Sequence, residues 1–153
     1  MRHHLINGVE VPFTPEEETA QDIIDAEFEA GLLPKAIADK KEAVDALHLQ
    51  KATASFAHGG RTFDADKYAQ QNIRDAIQYK RDKPIADGVN RTWRLANNTT
   101  VTLTWGEVRD MGLALFERGD DYFGYASIHK DAIDALTTVT AVDAYDITIN
   151  WSA

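Results

Sequence analysis

The stretch Arg91-Thr92-Trp93-Arg94-Leu95-Ala96-Asn97-Asn98-Thr99-Thr100-Val101-Thr102-Leu103-Thr104-Trp105-Gly106-Glu107 decides how this chain is built, because two alternating runs flank an Asn-Asn pair and lead straight into a helix start. Trp93 and Leu95 share one face of the first run, and Val101 and Leu103 share one face of the second. Thr100, Thr102 and Thr104 take the opposite side, so the pair reads as a hairpin with one buried and one wet face. Thr104 and Glu107 then stand three residues apart, the spacing at which a hydroxyl and a carboxylate cap each other's free backbone amides. A helix is predicted to begin there.

Downstream, Val108, Met111, Gly112 and Leu115 form the apolar stripe of that helix, with Gly119 as its expected end. A last helix is predicted over about residues 121–140, carrying Tyr122, Ala126, Ile133 and Leu136 on its inner side. Residues 145–151, Tyr145 to Trp151, alternate like a short closing strand. Upstream, residues 81–90 read as a loop, and residues 65–80 as a helix with Ala69, Ile73, Ala76 and Ile77 inward and Asp64 as its cap. Before it, Phe56 and Phe63 anchor a second hairpin around Gly59-Gly60, where both residues can take positive φ.

Further out, a helix is predicted from Pro34 to about Ala54, with Ile37, Val44 and Leu47 along one stripe. The step from Ile37 to Val44 resembles a heptad, but two or three turns do not establish a coiled coil, so packing onto the domain is expected and self-association is the alternative. Thr14-Pro15-Glu16-Glu17 is a complete helix start, with a cap, a first-position proline and an acid at the third position. That helix should end at Gly31 and present Ala20, Ile23, Ile24 and Phe28 as a narrow apolar face. Asn7-Gly8, between short apolar runs, suits a small hairpin or extended arm. The expected architecture is α+β. Residues 1–33 form a helical arm, and residues 34–153 a domain in which three or four helices pack a small antiparallel sheet.

A chain of 153 residues, 44% hydrophobic and 27% charged, is globular in composition. Its formal net charge of -9, without a basic cluster, argues against nucleic acid and against an anionic membrane surface. No apolar run approaches the roughly 20 residues that span a bilayer, and the first residues lack the apolar core of a signal peptide. The chain is expected to be soluble and made in the cytoplasm. The absence of cysteine removes disulfides, thiolate nucleophiles and Cys-based zinc sites.

Catalytic patterns are scarce. There is no Gly-x-Ser-x-Gly elbow, and Gly59-Gly60 lacks the spacing of a phosphate-binding loop. His58 with Asp64 and Asp66 is the nearest approach to a metal-ligand set, but the three read more simply as a turn residue, a helix cap and a dipole-complementing acid. His48 and His129 fall on amphipathic helices as surface or boundary residues. The acidic pairs, such as Asp120-Asp121, are explained by helix starts, so no catalytic, cofactor or metal residue is assigned. Among the aromatics crowding the C-terminal half, Trp105 at a first helical turn is expected to stay partly exposed.

The order of elements resembles the C-terminal domain of tailed-phage and prophage proteins of the tail, associated with fibres or tail assembly. The likeness runs from about Lys35 to Ala153: a Gly-Gly hairpin, Phe63-Asp64-Ala65-Asp66 and its helix, a Trp-containing strand turning at Asn97-Asn98, and the closing segment to Trp151. Where such proteins more often have an Asp-Gly type turn, this chain has Asn97-Asn98. The resemblance implies a non-catalytic structural or attachment protein of a phage virion, made in the host cytoplasm and carried in the tail. A fibre-assembly chaperone absent from the particle and a small hydrolase of cell-wall glycans are the alternatives. Its partners would be other tail proteins or copies of itself. The candidate interface residues are Phe13, Ile23, Ile24 and Phe28 in the arm, Ile37 and Val44 beyond it, and Trp105.

Overall fold

The computed structural model describes residues 2–6 and 8–152, with the backbone alone at positions 6 and 27. The chain is α+β, 61% helical, with small antiparallel two-stranded sheets set against helices. It divides into two compact units, one of residues 1–41 with 132–145 and one of residues 42–131 with 146–153.

In the first unit, β1 (His3–Ile6) pairs with β2 (Val9–Pro12), and Gly8 takes φ 81° in the connection. Asn7, the other half of the expected turn, lies outside the described residues. Helix α1 (Pro15–Thr53) opens on the predicted capping box. The Thr14 N–H donates to Glu17 Oε2 at 2.8 Å, and the Glu17 N–H donates to Thr14 Oγ1 at 3.2 Å. Arg2 reaches along one side of the helix to Glu18, Asp22 and Asp25 at 2.6–3.0 Å.

Gly31 and Pro34 do not separate two helices, because α1 runs through both. A glycine ends a helix by turning left-handed, and Gly31 is not among the residues with positive φ. Proline's fixed φ is itself helical, so α1 continues through Pro34 at the cost of a backbone hydrogen bond and crowding against the preceding turn. At the other end of this unit, α4 (Val139–Ala144) is capped by the Thr138 hydroxyl, which accepts from the Ala141 N–H. Lys40 Nζ donates to the Asp143 and Tyr145 carbonyls at 3.0 and 3.1 Å, and Lys41 pairs with Asp134 at 2.6 Å.

The second unit holds a buried apolar cluster. β3 (Phe56–His58) and β4 (Arg61–Phe63) turn at Gly59 and Gly60, at φ 56° and 73° as the Gly-Gly pair predicted. Helix α2 (Lys67–Asp82) follows, but its cap is Asp66, which accepts from the Ala69 N–H at 2.8 Å. Asp64 faces the Ser55 hydroxyl instead. β5 (Asn90–Arg94) and β6 (Thr100–Thr104) form the hairpin of the opening stretch, with Trp93 opposite Val101 and Arg91 opposite Leu103. Asn98 takes φ 64°, its N–H donates to Leu95 O, and the Leu95 N–H donates to Thr99 O. This is a type I turn closed by one left-handed residue, a role asparagine tolerates.

Among the described residues the strands form three separate two-stranded hairpins, not one small sheet. Residues 145–151 are not a closing strand. The Asp146 carboxylate accepts from the Thr148 N–H at 2.8 Å and Asn150 sits at φ 59°, which turns the segment.

Helix α3 (Trp105–Asp134) starts where Thr104 and Glu107 predicted. The Thr104 N–H donates to Glu107 Oε2 at 2.7 Å, and the Glu107 N–H donates to Thr104 Oγ1 at 3.1 Å. It passes through Gly119, again without positive φ, and stops at Asp134. The predicted helix over residues 121–140 is therefore the end of α3, a break, and α4. Phe56, Phe63, Ile73, Leu103, Val108 and Met111 are buried in a single cluster with Trp105.

These caps make stability depend on acidity. The Thr104 N–H holds the Glu107 carboxyl below the usual glutamate range, with the Thr104 hydroxyl and Arg61 adding to it. Asp87 is lowered likewise by hydrogen bonds from Lys80 and then Arg109. A depressed folded pKa gives stability that is present above the ordinary carboxylate range, about pH 4, and lost as pH falls through the folded values. Urea midpoints should therefore fall as the solution is acidified below about pH 4. Glu107→Gln should flatten that fall, and an unchanged slope would show that the box carries none of it.

Candidate functional site

The arm side chains expected at an interface are placed unequally. Ile23, Ile24 and Phe28 are exposed at 56, 56 and 67%. At 100° per residue, Ile23 and Ile24 lie on the side of α1 away from the row Glu18, Asp22 and Asp25 that holds Arg2. Phe13 is half-buried, stacked on His4 with ring centroids 4.3 Å apart, and Ile37 is half-buried. Val44 is fully buried and is no open surface. From residue 3 to residue 34 the sequence has eight carboxylates and no Lys or Arg.

Trp105 is the main correction. It is 5% exposed, because the loop of residues 83–89 folds over the first turn of α3. The Trp105 N–H donates to Val89 O at 3.0 Å and the Gly106 N–H to Asp87 O at 2.9 Å, so the loop satisfies two amides that a helix start leaves open. Tyr79 lies against the indole at 6.1 Å, and the Arg91 guanidinium sits 4.8 Å from its centroid.

His129 is also buried, not a boundary residue. Its ring stacks on Trp151 at 5.2 Å, and Trp151 Nε1 donates to Ile147 O at 2.6 Å.

Among the described residues, two grooves on the second unit stand out. The larger, about 630 Å³, lies between α2 and β5. Its floor is Ile73, Ala76 and Trp93; Asp64, Asp66 and Asp75 line one wall, and Thr92 and Arg94 the other. Tyr68 and Tyr79 stand exposed along it at 82 and 52%. Sequence reading could not find this groove, since it exists only once α2 is set beside β5. The smaller, about 380 Å³, is more apolar and is bordered by Ile77, Gly112, Leu115, Phe116 and Phe123.

No group of three or more His, Asp or Glu side chains among the described residues is placed to hold a metal ion. Asp66 is committed to its cap, and Asp64 faces Ser55. No helix among the described residues is long and apolar enough to cross a membrane.

Residues 35–149 match the family described as "Domain of unknown function (DUF4376)". No curated protein and no solved structure matches the chain.

Proposed function

The chain belongs to the DUF4376 family, and we propose that it is a non-catalytic attachment protein of a phage tail, held to its partner by the N-terminal arm. The phage setting rests on the resemblance of residues 35–153 to tail-associated proteins. The attachment role rests on one observation, the exposed Ile23, Ile24 and Phe28 on a helix surrounded by carboxylates.

An apolar row left in water on a helix gains by being covered, at about 25 cal/mol for each Å² buried. Copies of the arm laid side by side would bring eight carboxylates against eight, which disfavours self-association through this face. The partner that fits is a tail protein presenting an apolar patch rimmed by Lys and Arg. Like charges then steer wrong partners away, and the apolar row supplies affinity.

Replacing Ile23, Ile24 and Phe28 together by serine tests this without shortening the chain. All three are exposed, so the fold should be retained, while incorporation into purified particles, read by mass spectrometry, should be lost. Deleting residues 1–33 should have the same effect. Equal incorporation of wild type and both variants would overturn the attachment role. A wild-type chain that binds fibres but is missing from particles would identify an assembly chaperone instead.

A further inference from the structure

The geometry points to a second binding site, independent of the arm: the free edge of β5 takes up an extended segment of a partner protein as an added strand in the groove beside α2. Backbone parity is the first ground. With Leu95 and Thr99 hydrogen-bonded at the turn, the antiparallel alternation makes Trp93–Val101 and Arg91–Leu103 the bonded pairs. The N–H and C=O groups of Thr92 and Arg94 therefore point away from β6. Ala96, two residues further on, uses that same edge, since its N–H donates to Thr62 O of β4 at 3.1 Å. Strand pairing thus already begins on this edge and stops where the groove opens.

What the edge faces is the second ground. Unpaired edge groups are usually covered, charged or bulged. Here they border about 630 Å³ of open groove with an apolar floor of Ile73, Ala76 and Trp93. An added strand sends alternate side chains to one side, so every second residue of the occupant would rest on that floor.

The walls set the occupant's charge. Asp64, Asp66 and Asp75 line the α2 side, and none of them is in an ion pair among the described residues. Arg91, which also lines the groove, lies against the indoles of Trp93 and Trp105 at 5.4 and 4.8 Å, and Arg94 is the exposed cation of the lining. The occupant is therefore an extended segment with apolar residues at alternate positions and Lys or Arg between them. Main-chain hydrogen bonds give such a complex its affinity, and the acidic wall gives it direction.

The probe is a hexapeptide of alternating lysine and valine, blocked at both ends, titrated into the full chain. Binding should slow hydrogen exchange at the Thr92 and Arg94 amides while leaving Trp93, already paired to β6, unchanged. Thr92→Pro removes the outward N–H and spares the β5–β6 ladder, a substitution edge strands accept. It should weaken binding about tenfold, the effect expected from losing one or two backbone hydrogen bonds. The same hexapeptide methylated on alternate backbone nitrogens should bind equally poorly to the unaltered chain, which keeps the test decisive if Thr92→Pro does not fold. An alternating glutamate-valine peptide should bind at least about fivefold more weakly than the lysine one, with the gap closing in high salt. Failure of the lysine peptide to protect Thr92 and Arg94, or equal binding by its methylated form, overturns the proposal. Because the arm is untouched in every sample, neither result bears on attachment through Ile23, Ile24 and Phe28.

Discussion

Replacing Trp105 by alanine is expected to destabilise the second unit by about 3–5 kcal/mol, the range for removing a buried tryptophan. Small domains are stable by only about 5–15 kcal/mol, so this one side chain accounts for a large part of the margin. The indole is 5% exposed and shares a cluster with Phe63, Leu103, Val108 and Met111. Its removal also leaves the Arg91 guanidinium without the nearer of its two aromatic faces. The loss would extend to the loop of residues 83–89, whose Val89 and Asp87 carbonyls are held by the first amides of α3. Urea unfolding followed by far-UV circular dichroism measures the effect. Trp105→Phe keeps most of the packed volume and should recover more than half of it. A Trp105→Ala midpoint equal to wild type would mean that the indole is not part of the core.

Trp105 also shows where sequence reading stopped. What near neighbours decide was legible: the hairpin of β5 and β6 with its turn at Asn97-Asn98, and the Thr104–Glu107 capping box. The Gly59-Gly60 turn and the Thr14–Glu17 box were legible for the same reason. The burial of Trp105 depends on residues 83–89 folding back over it, and no local pattern announces that. Gly31, Pro34 and Gly119 are breakers in an isolated peptide, yet each is carried inside a longer helix. A glycine costs about 1 kcal/mol and a proline about 3 kcal/mol in a helix interior. Helices of 39 and 30 residues absorb such costs, because neither residue adopts a chain-reversing conformation. The alternation over residues 145–151 matched a strand, but the Asp146 carboxylate takes the Thr148 backbone N–H and Trp151 is seated on His129. The candidate sites divide along the same line. Ile23, Ile24 and Phe28 lie on one continuous helix, so spacing alone groups them, whereas the groove needs α2 and β5 together and no local pattern shows it.

Gly112 gives the second large effect, and it separates two glycines that look alike in sequence. A Cβ at Gly112 would stand 2.4 Å from Ile77 Cδ1 and 3.2 Å from Ile73 Cγ2, so α2 and α3 approach each other through this missing side chain. A Cβ at Gly119 would meet nothing within 4 Å. Alanine in a helix interior is favoured over glycine by about 1 kcal/mol, and Gly119→Ala should gain about that much. At Gly112 the same gain is offset by the displacement of Ile77, whose terminal methyl can swing away only by leaving its rotamer, at about 0.5–1.5 kcal/mol. Gly112→Ala should therefore be close to neutral. Gly112→Val adds two methyl groups against Ile73 and Ile77 and should cost about 1–3 kcal/mol or more, as overpacking does. A double-mutant cycle identifies the cause. If the clash with Ile77 is responsible, Gly112→Val in an Ile77→Ala background should be less harmful than in the wild type, with a coupling of about 0.5–3 kcal/mol. Additive costs would instead place the strain in the backbone of α3, and a Gly112→Val chain as stable as wild type would show that the two helices do not meet as closely as 2.4 Å requires.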